Sequence, residues 1–168
     1  MSDEMDEIWE LYADDGTQAL DAMEVALEAL MDADGAPEPH IAALFRAVHT
    51  FKGNSRVLGL AVVESRAHLA EDLIGLVRDS GVALTGEILD GLMETGDHLR
   101  RMLDETARTR SDVDPAPSEK LAERLRSLIA ASSGAADDGA HAVAEPEAAA
   151  PAAEALPEAP APKAKAGA

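Results

Sequence analysis

The sequence predicts an all-α fold over roughly its first 132 residues, and three observations predict it. Strand-favouring aromatic residues are sparse, at 2% of the chain, and helix formers dominate throughout. Apolar residues recur at spacings of three and four, the repeat of a helix with one buried face. Clusters of glycine and proline interrupt that repeat at intervals suited to ordinary helix lengths.

The elements follow in order. A first long helix is expected from about Glu4 to Met31, with Trp9, Tyr12, Gly16, Leu20, Met23, Leu27 and Leu30 along one stripe. Gly16 within that stripe reads equally as a kink or as a small residue at a close helix crossing. Asp34, Gly35 and Pro37 form the break that follows. A second helix starts near Pro39, carries Ile41, Leu44, Phe45, Val48 and Phe51, and ends around Leu58 and Gly59. A third, from Ala61 to Asp79, places Val63, Ala67, Ala70, Ile74 and Val77 inward and closes at Ser80-Gly81. Thr85 is a suitable N-cap for a fourth, with Glu87 at its positive end and Ile88, Leu92, Leu99 and Leu103 on its apolar face. That helix fades in the stretch from Ala107 to Asp112, and a shorter fifth follows Pro115–Ser118 with Leu121, Leu125 and Leu128.

Residues 133–168 differ in kind. They hold 16 alanines and 5 prolines without apolar periodicity, and read as a flexible or semi-extended linker rather than part of a packed domain. A chain ending in such a linker looks like part of something longer. The organisation expected is therefore a helical unit over 1–132 and a linker over 133–168.

Composition narrows the function classes. With 33 acidic and 14 basic residues the net charge is −19, which disfavours nucleic acid and anionic membrane surfaces as partners. The absence of cysteine removes disulfides and thiolate chemistry. The acidic start, Met1 to Glu10, lacks the pattern of a signal peptide, and no apolar run is long enough for a membrane span, so a cytoplasmic setting is expected.

The candidate site is built around His49, Lys52 and Gly53. Positions i, i+3 and i+4 share a helix face, and helical side chains lean toward the N-terminus, so Lys52 is expected to point at His49 and a side chain at 53 to crowd its ring. A glycine inside a helix costs about 1 kcal/mol relative to alanine and asks for a reason, which open approach to the imidazole supplies. From Pro39 to Val63 no acidic residue occurs, while Arg46, Lys52 and Arg56 do, making a positive island able to stabilise a bulky anion such as a phosphoryl group. On the third helix Glu64, His68, Glu71 and Gly75 form a polar stripe. If the two helices pack side by side, Glu71 and His68 approach His49, and a carboxylate accepting from one ring nitrogen leaves the other with a free lone pair. A zinc site of His49, His68 and Glu71 is disfavoured, because no fourth ligand is spaced for it and Lys52 repels the cation. His40, His98 and His141 read as solvated side chains.

The run His49-Thr50-Phe51-Lys52-Gly53-Asn54-Ser55, followed by His68-Leu69-Ala70-Glu71-Asp72, resembles the histidine phosphotransfer (HPt) domain. The likeness is to the version at the N-terminus of CheA-type chemotaxis histidine kinases. The resemblance covers roughly residues 1–132 and implies an antiparallel four-helix bundle with the histidine exposed mid-helix, here joined by a fifth helix and the Ala/Pro-rich tail. It implies that His49 is the phosphoacceptor, that Lys52 supports the phosphoryl group, that Gly53 leaves access, and that Glu71, helped by His68, orients the ring. The phosphoryl group would come from ATP on a separate kinase domain and pass to an aspartate of a CheY-like response regulator receiver domain. ATP and Mg²⁺ would belong to those partners, with no cofactor bound by this chain. Docking is expected on the second helix at Phe45, Arg46 and Gly53, with Asn54 and Arg56 as departures from the family's small residues there. A monomer is expected. The alternatives are a stand-alone HPt protein of a multistep phosphorelay, disfavoured by the linker and the fifth helix, and a non-catalytic helical adaptor.

Overall fold

Apolar spacing translates directly into helices in the structure, a computed structural model that describes residues 2–32 and 34–136. Helix α1 spans Ser2–Met31, α2 Glu38–Val57, α3 Ala61–Asp79, α4 Gly86–Thr109 and α5 Glu119–Ala136, with a 3₁₀ turn at Ala116–Ser118 before α5. No strand occurs among the described residues. Of the stretch read as linker, residues 133–136 continue α5, and the remainder lies outside the described residues.

Short connections reverse the chain after each of the first three helices, so α1 packs on α2 and α4, and α3 on α2 and α4, closing a four-helix bundle. The α1 stripe is buried at Trp9, Tyr12, Leu20, Met23, Leu27 and Leu30. Gly16 resolves as a close crossing. A β-carbon there would lie 2.7 Å from Leu103 Cδ1 and 3.4 Å from Phe51 Cε2, and α1 runs through it unbroken. Across the core stand Leu44, Val48 and Phe51 of α2, Val63, Ala67, Ala70, Leu73 and Ile74 of α3, and Ile88, Leu92, Leu99 and Leu103 of α4. Phe45 is the exception on α2: it lies half-buried at the surface of the α2–α3 seam.

The ends of α2 and α3 fix how those two helices meet. Gly59 takes the left-handed conformation at φ 70°, which glycine adopts without steric cost. Its N–H donates to Arg56 O at 3.0 Å and the Leu60 N–H to Ser55 O at 3.0 Å, the paired bonds of a Schellman stop. The N-terminus of α3 has no cap of its own; Asp112, in the loop after α4, supplies one, accepting from the Val62 N–H at 2.7 Å and the Val63 N–H at 3.5 Å. Thr85 caps α4 as its sequence suggests, accepting from the Ile88 N–H at 3.3 Å.

Helix α5 packs on α3 and α4 outside the bundle. Gly91 lets it approach α4, since a β-carbon there would lie 2.9 Å from Leu128 Cδ1. Arg66, buried on α3, donates to Ser118 Oγ at 2.8 Å, to the Pro115 carbonyl at 3.3 Å and to Glu119 Oε2 at 3.2 Å. Loop, 3₁₀ turn and α5 are thereby tied to the helix that carries half of the candidate site. Asp112→Ala is expected to destabilise the chain by about 1 kcal/mol, the usual cost of a lost N-cap. That amounts to a melting temperature several degrees lower, checked by thermal and urea melts.

Candidate functional site

The α2–α3 seam brings one histidine, one lysine and one carboxylate together. His49, in the middle of α2, has a side chain 60% exposed, whereas Glu71 of α3 is only 14% exposed. The Nδ1 atom of His49 lies 2.8 Å from Glu71 Oε2, and Lys52 Nζ donates to Glu71 Oε1 at 2.8 Å. Both oxygens of one carboxylate are thus engaged by residues one helical turn apart on the facing helix.

The protonation of this group follows from its neighbours. Burial by itself would raise the Glu71 carboxyl; the hydrogen bonds from Lys52 and His49, with the charges behind them, outweigh burial and hold its pKa below the ordinary value. Glu71 is therefore a carboxylate at neutral pH and can only accept. The His49 Nδ1 atom must carry the proton it shares with Glu71, and Nε2 is left with its lone pair. An exposed imidazole with a fixed tautomer and a free nitrogen is equipped to attack an electrophile.

Lys52 occupies a different place from the one its spacing suggests. Its ammonium, 17% exposed, ends on Glu71 rather than on His49, so it holds the carboxylate that holds the ring. The stripe on α3 divides into separate tasks. Glu71 reaches His49; Glu64 lies 3.8 Å from Arg56 Nε; His68 Nε2 lies 3.3 Å from Asp72 Oδ1 on its own helix. No hydrogen bond among the described residues joins His68 to His49 or Glu71. Gly75 underlies Phe45, whose Cε2 would lie 3.9 Å from a β-carbon at that position.

Beyond its chain neighbours and its own helix backbone, a β-carbon at Gly53 would meet nothing within 4 Å, so crowding of the imidazole does not begin at Cβ. The space beside Gly53 is open. Arg46 and Arg56 are exposed on α2, and Asn54 is half-buried beside Gly53. His40 is half-buried at the start of α2. His98 is half-buried too, and burial lowers its pKa, where its sequence context suggests a solvated ring; its helix face turns partly inward. His141 lies outside the described residues. Among the described residues no group of three or more His, Asp or Glu is placed to hold a metal ion.

Two residues at the site have no role assigned by the sequence. Ser55 is fully buried, accepting from Tyr12 at 3.1 Å and donating to the Phe51 carbonyl at 2.9 Å, which pins the turn of α2 after Lys52 to α1. Arg78 places its guanidinium 3.6 Å from the centroid of the Phe45 ring. Its signal was present: three positions beyond Gly75, it continues the stripe of Glu64, His68, Glu71 and Gly75.

A solvent-facing histidine held from a neighbouring helix by a half-buried carboxylate, midway along an up-and-down bundle, defines a class of domain. Residues 7–109 match the Hpt domain family, and the chain belongs to it. Over 125 residues it is 32% identical to the chemotaxis protein CheA of Rhizobium meliloti (strain 1021), covering 74% of this chain and 16% of that protein. It is 27% identical over 134 residues to the chemotaxis protein CheA of Salmonella typhimurium, covering 80% of this chain and 20% of that one. The chain thus spans a fifth or less of the length of these relatives. Among solved structures, the phosphorylated P1 domain of CheA3 in complex with CheY6 from R. sphaeroides superposes with a TM-score of 0.73. The two are 64% identical, over 75% of this chain and 98% of that one. No helix among the described residues is long and apolar enough to cross a membrane.

Proposed function

We propose that this chain is the phosphoacceptor unit of a chemotaxis-type two-component system, receiving a phosphoryl group on His49 and passing it to a response regulator. The observation that carries this reading is the His49–Glu71–Lys52 chain of contacts, which leaves Nε2 of an exposed ring as a free nucleophile. The relatives named above support it, one of them being a phosphorylated P1 domain bound to CheY6.

The chemistry proceeds in two displacements. Nε2 of neutral His49 forms a bond to the γ-phosphorus of ATP held by a kinase domain, and the bond from that phosphorus to the ADP oxygen breaks. The ring gains positive charge as the new N–P bond forms, and the Glu71 carboxylate beside Nδ1–H stabilises it without taking the proton. In the second step a regulator aspartate attacks the phosphorus, the N–P bond breaks, and neutral His49 returns. ATP and Mg²⁺ belong to the partners; this chain contributes the nucleophile, its tautomer and a docking face on α2 around Arg46, Gly53, Asn54 and Arg56. A cytoplasmic setting fits such partners.

The test is incubation of the chain with a CheA-type kinase domain and labelled ATP, followed by addition of a CheY-like receiver. Acid-labile label that accumulates on the chain and drains to the receiver is expected. Failure of CheA-type kinase domains to label the wild-type chain would overturn the reading.

A further inference from the structure

Glu71 fixes one atom of the His49 ring and leaves its plane open. A single hydrogen bond at Nδ1 is a pivot, and a side chain 60% exposed has little else on its outer side to stop it turning. A nucleophile that must aim one lone pair along the axis of an in-line displacement gains from a fixed plane. Another part of the site supplies one. The rings of Phe45 and His49 stack with centroids 5.9 Å apart and planes 13° from parallel. Phe45 precedes His49 by one helical turn, and helical side chains lean toward the N-terminus, so His49 lies back over Phe45.

Phe45 has a second partner of its own. The Arg78 guanidinium lies 3.6 Å from its centroid, within cation–π distance. Arg78 is steadied by Asp79, with Nε donating to Oδ1 and Nη2 to Oδ2, both at 2.9 Å. From α3, Gly75 meets the ring edge with backbone alone, its would-be β-carbon 3.9 Å from Cε2, so a larger residue there would push the ring away. Guanidinium, phenyl and imidazole are thus linked pairwise across the seam, from Arg78 through Phe45 to the nucleophile.

We infer that Phe45, clamped by Arg78, is a positioning residue that sets the plane of the His49 ring for phosphoryl transfer. The inference rests on the phosphotransfer reading and deepens it. It also changes the part given to Phe45 from its place in the sequence, which was docking. A docking residue offers its face to a partner; here the neighbours of Phe45 are Arg78, Gly75 and His49. Arg78 does not touch the reacting atoms and acts through Phe45.

Phe45→Leu keeps apolar bulk at a half-buried position and removes the flat face, so the bundle is expected to stay folded. Phe45→Tyr keeps the face, and Arg78→Ala loosens the clamp. With kinase domain and labelled ATP, Phe45→Leu is expected to lower kcat for labelling about tenfold with KM within twofold of wild type, comparable to the loss of other groups that orient a functional histidine. Phe45→Tyr should restore kcat to within twofold, and Arg78→Ala should fall between. In proton NMR spectra the His49 ring protons should lose their ring-current shift in Phe45→Leu and keep it in Phe45→Tyr. An unchanged kcat in Phe45→Leu, or a change confined to KM, would overturn the inference and return Phe45 to docking. A wild-type chain that takes no label would instead defeat the phosphotransfer reading, while the NMR shifts would still show whether Phe45 sets the ring plane.

Discussion

His49→Gln is expected to abolish labelling by the kinase domain while leaving the melting temperature within about 2 °C of wild type. The two halves of this result have separate physical causes. A glutamine amide nitrogen has its lone pair delocalised into the carbonyl and cannot attack phosphorus, so the loss should be complete rather than graded. The side chain removed is 60% exposed, and substitutions at such positions usually change stability by no more than about 0.5 kcal/mol. The core beneath it, Leu44, Val48 and Phe51, is untouched. Four other histidines remain in the variant, which makes the result informative. Among the described residues His68 is the nearest rival by exposure, at 57%, but its Nε2 is turned to Asp72 and it lacks the Glu71–Lys52 support. His68→Gln should therefore keep its label. Phosphoryl incorporation is read as acid-labile label, with thermal melts alongside. Comparable labelling of His49→Gln would move the acceptor elsewhere.

What the sequence makes legible is local. The stripe from Trp9 to Leu30, the Thr85 cap and the stop at Gly59 each depend on residues within a few positions of one another, and each appears in the structure where its pattern places it. Glu71 was within reach on one condition, that α2 and α3 pack side by side, although His68 of the same stripe turns to Asp72 instead. Contacts that depend on the exact register of distant segments were not legible. Ser55 and Arg66 are polar residues that local pattern assigns to the surface, and they are buried because Tyr12, 43 positions away, and Ser118, 52 positions away, satisfy them. The same limit explains Lys52. Helical geometry aims it at His49, but an ionised carboxylate within reach on the next helix is the stronger partner for an ammonium, and it ends there. The Arg78–Phe45 and Phe45–His49 contacts need both the α2–α3 register and the bare backbone of Gly75, neither of which spacing along the chain reveals.

Glu71→Gln is expected to slow phosphoryl acceptance more than Glu71→Ala, an inversion of the usual order for conservative and truncating changes. The reason lies in Lys52. An amide at position 71 has one acceptor and one donor end, and the Lys52 ammonium, which only donates, takes the oxygen. The amide N–H₂ is then left facing Nδ1 of His49, which must accept. That forces the proton to Nε2 and removes the attacking lone pair. Glu71→Ala removes orientation without imposing the wrong tautomer, so it should slow transfer about 10- to 100-fold, as loss of a histidine's supporting partner does. Glu71→Gln should exceed that, toward the roughly 10⁴-fold cost of a reversed tautomer in a catalytic triad. Fold stability records the same carboxylate in acid. Because the folded pKa of Glu71 is depressed, the stabilisation from its contacts is fully present above the unfolded carboxyl value, about 4.3, and disappears as pH falls through the lower folded value. Single-turnover transfer rates, with long-range ¹H–¹⁵N spectra reporting the His49 tautomer, check the order. Equal rates for wild type and Glu71→Gln would show that the carboxylate does not set the tautomer, and the nucleophile would then have to be oriented by its ring plane alone.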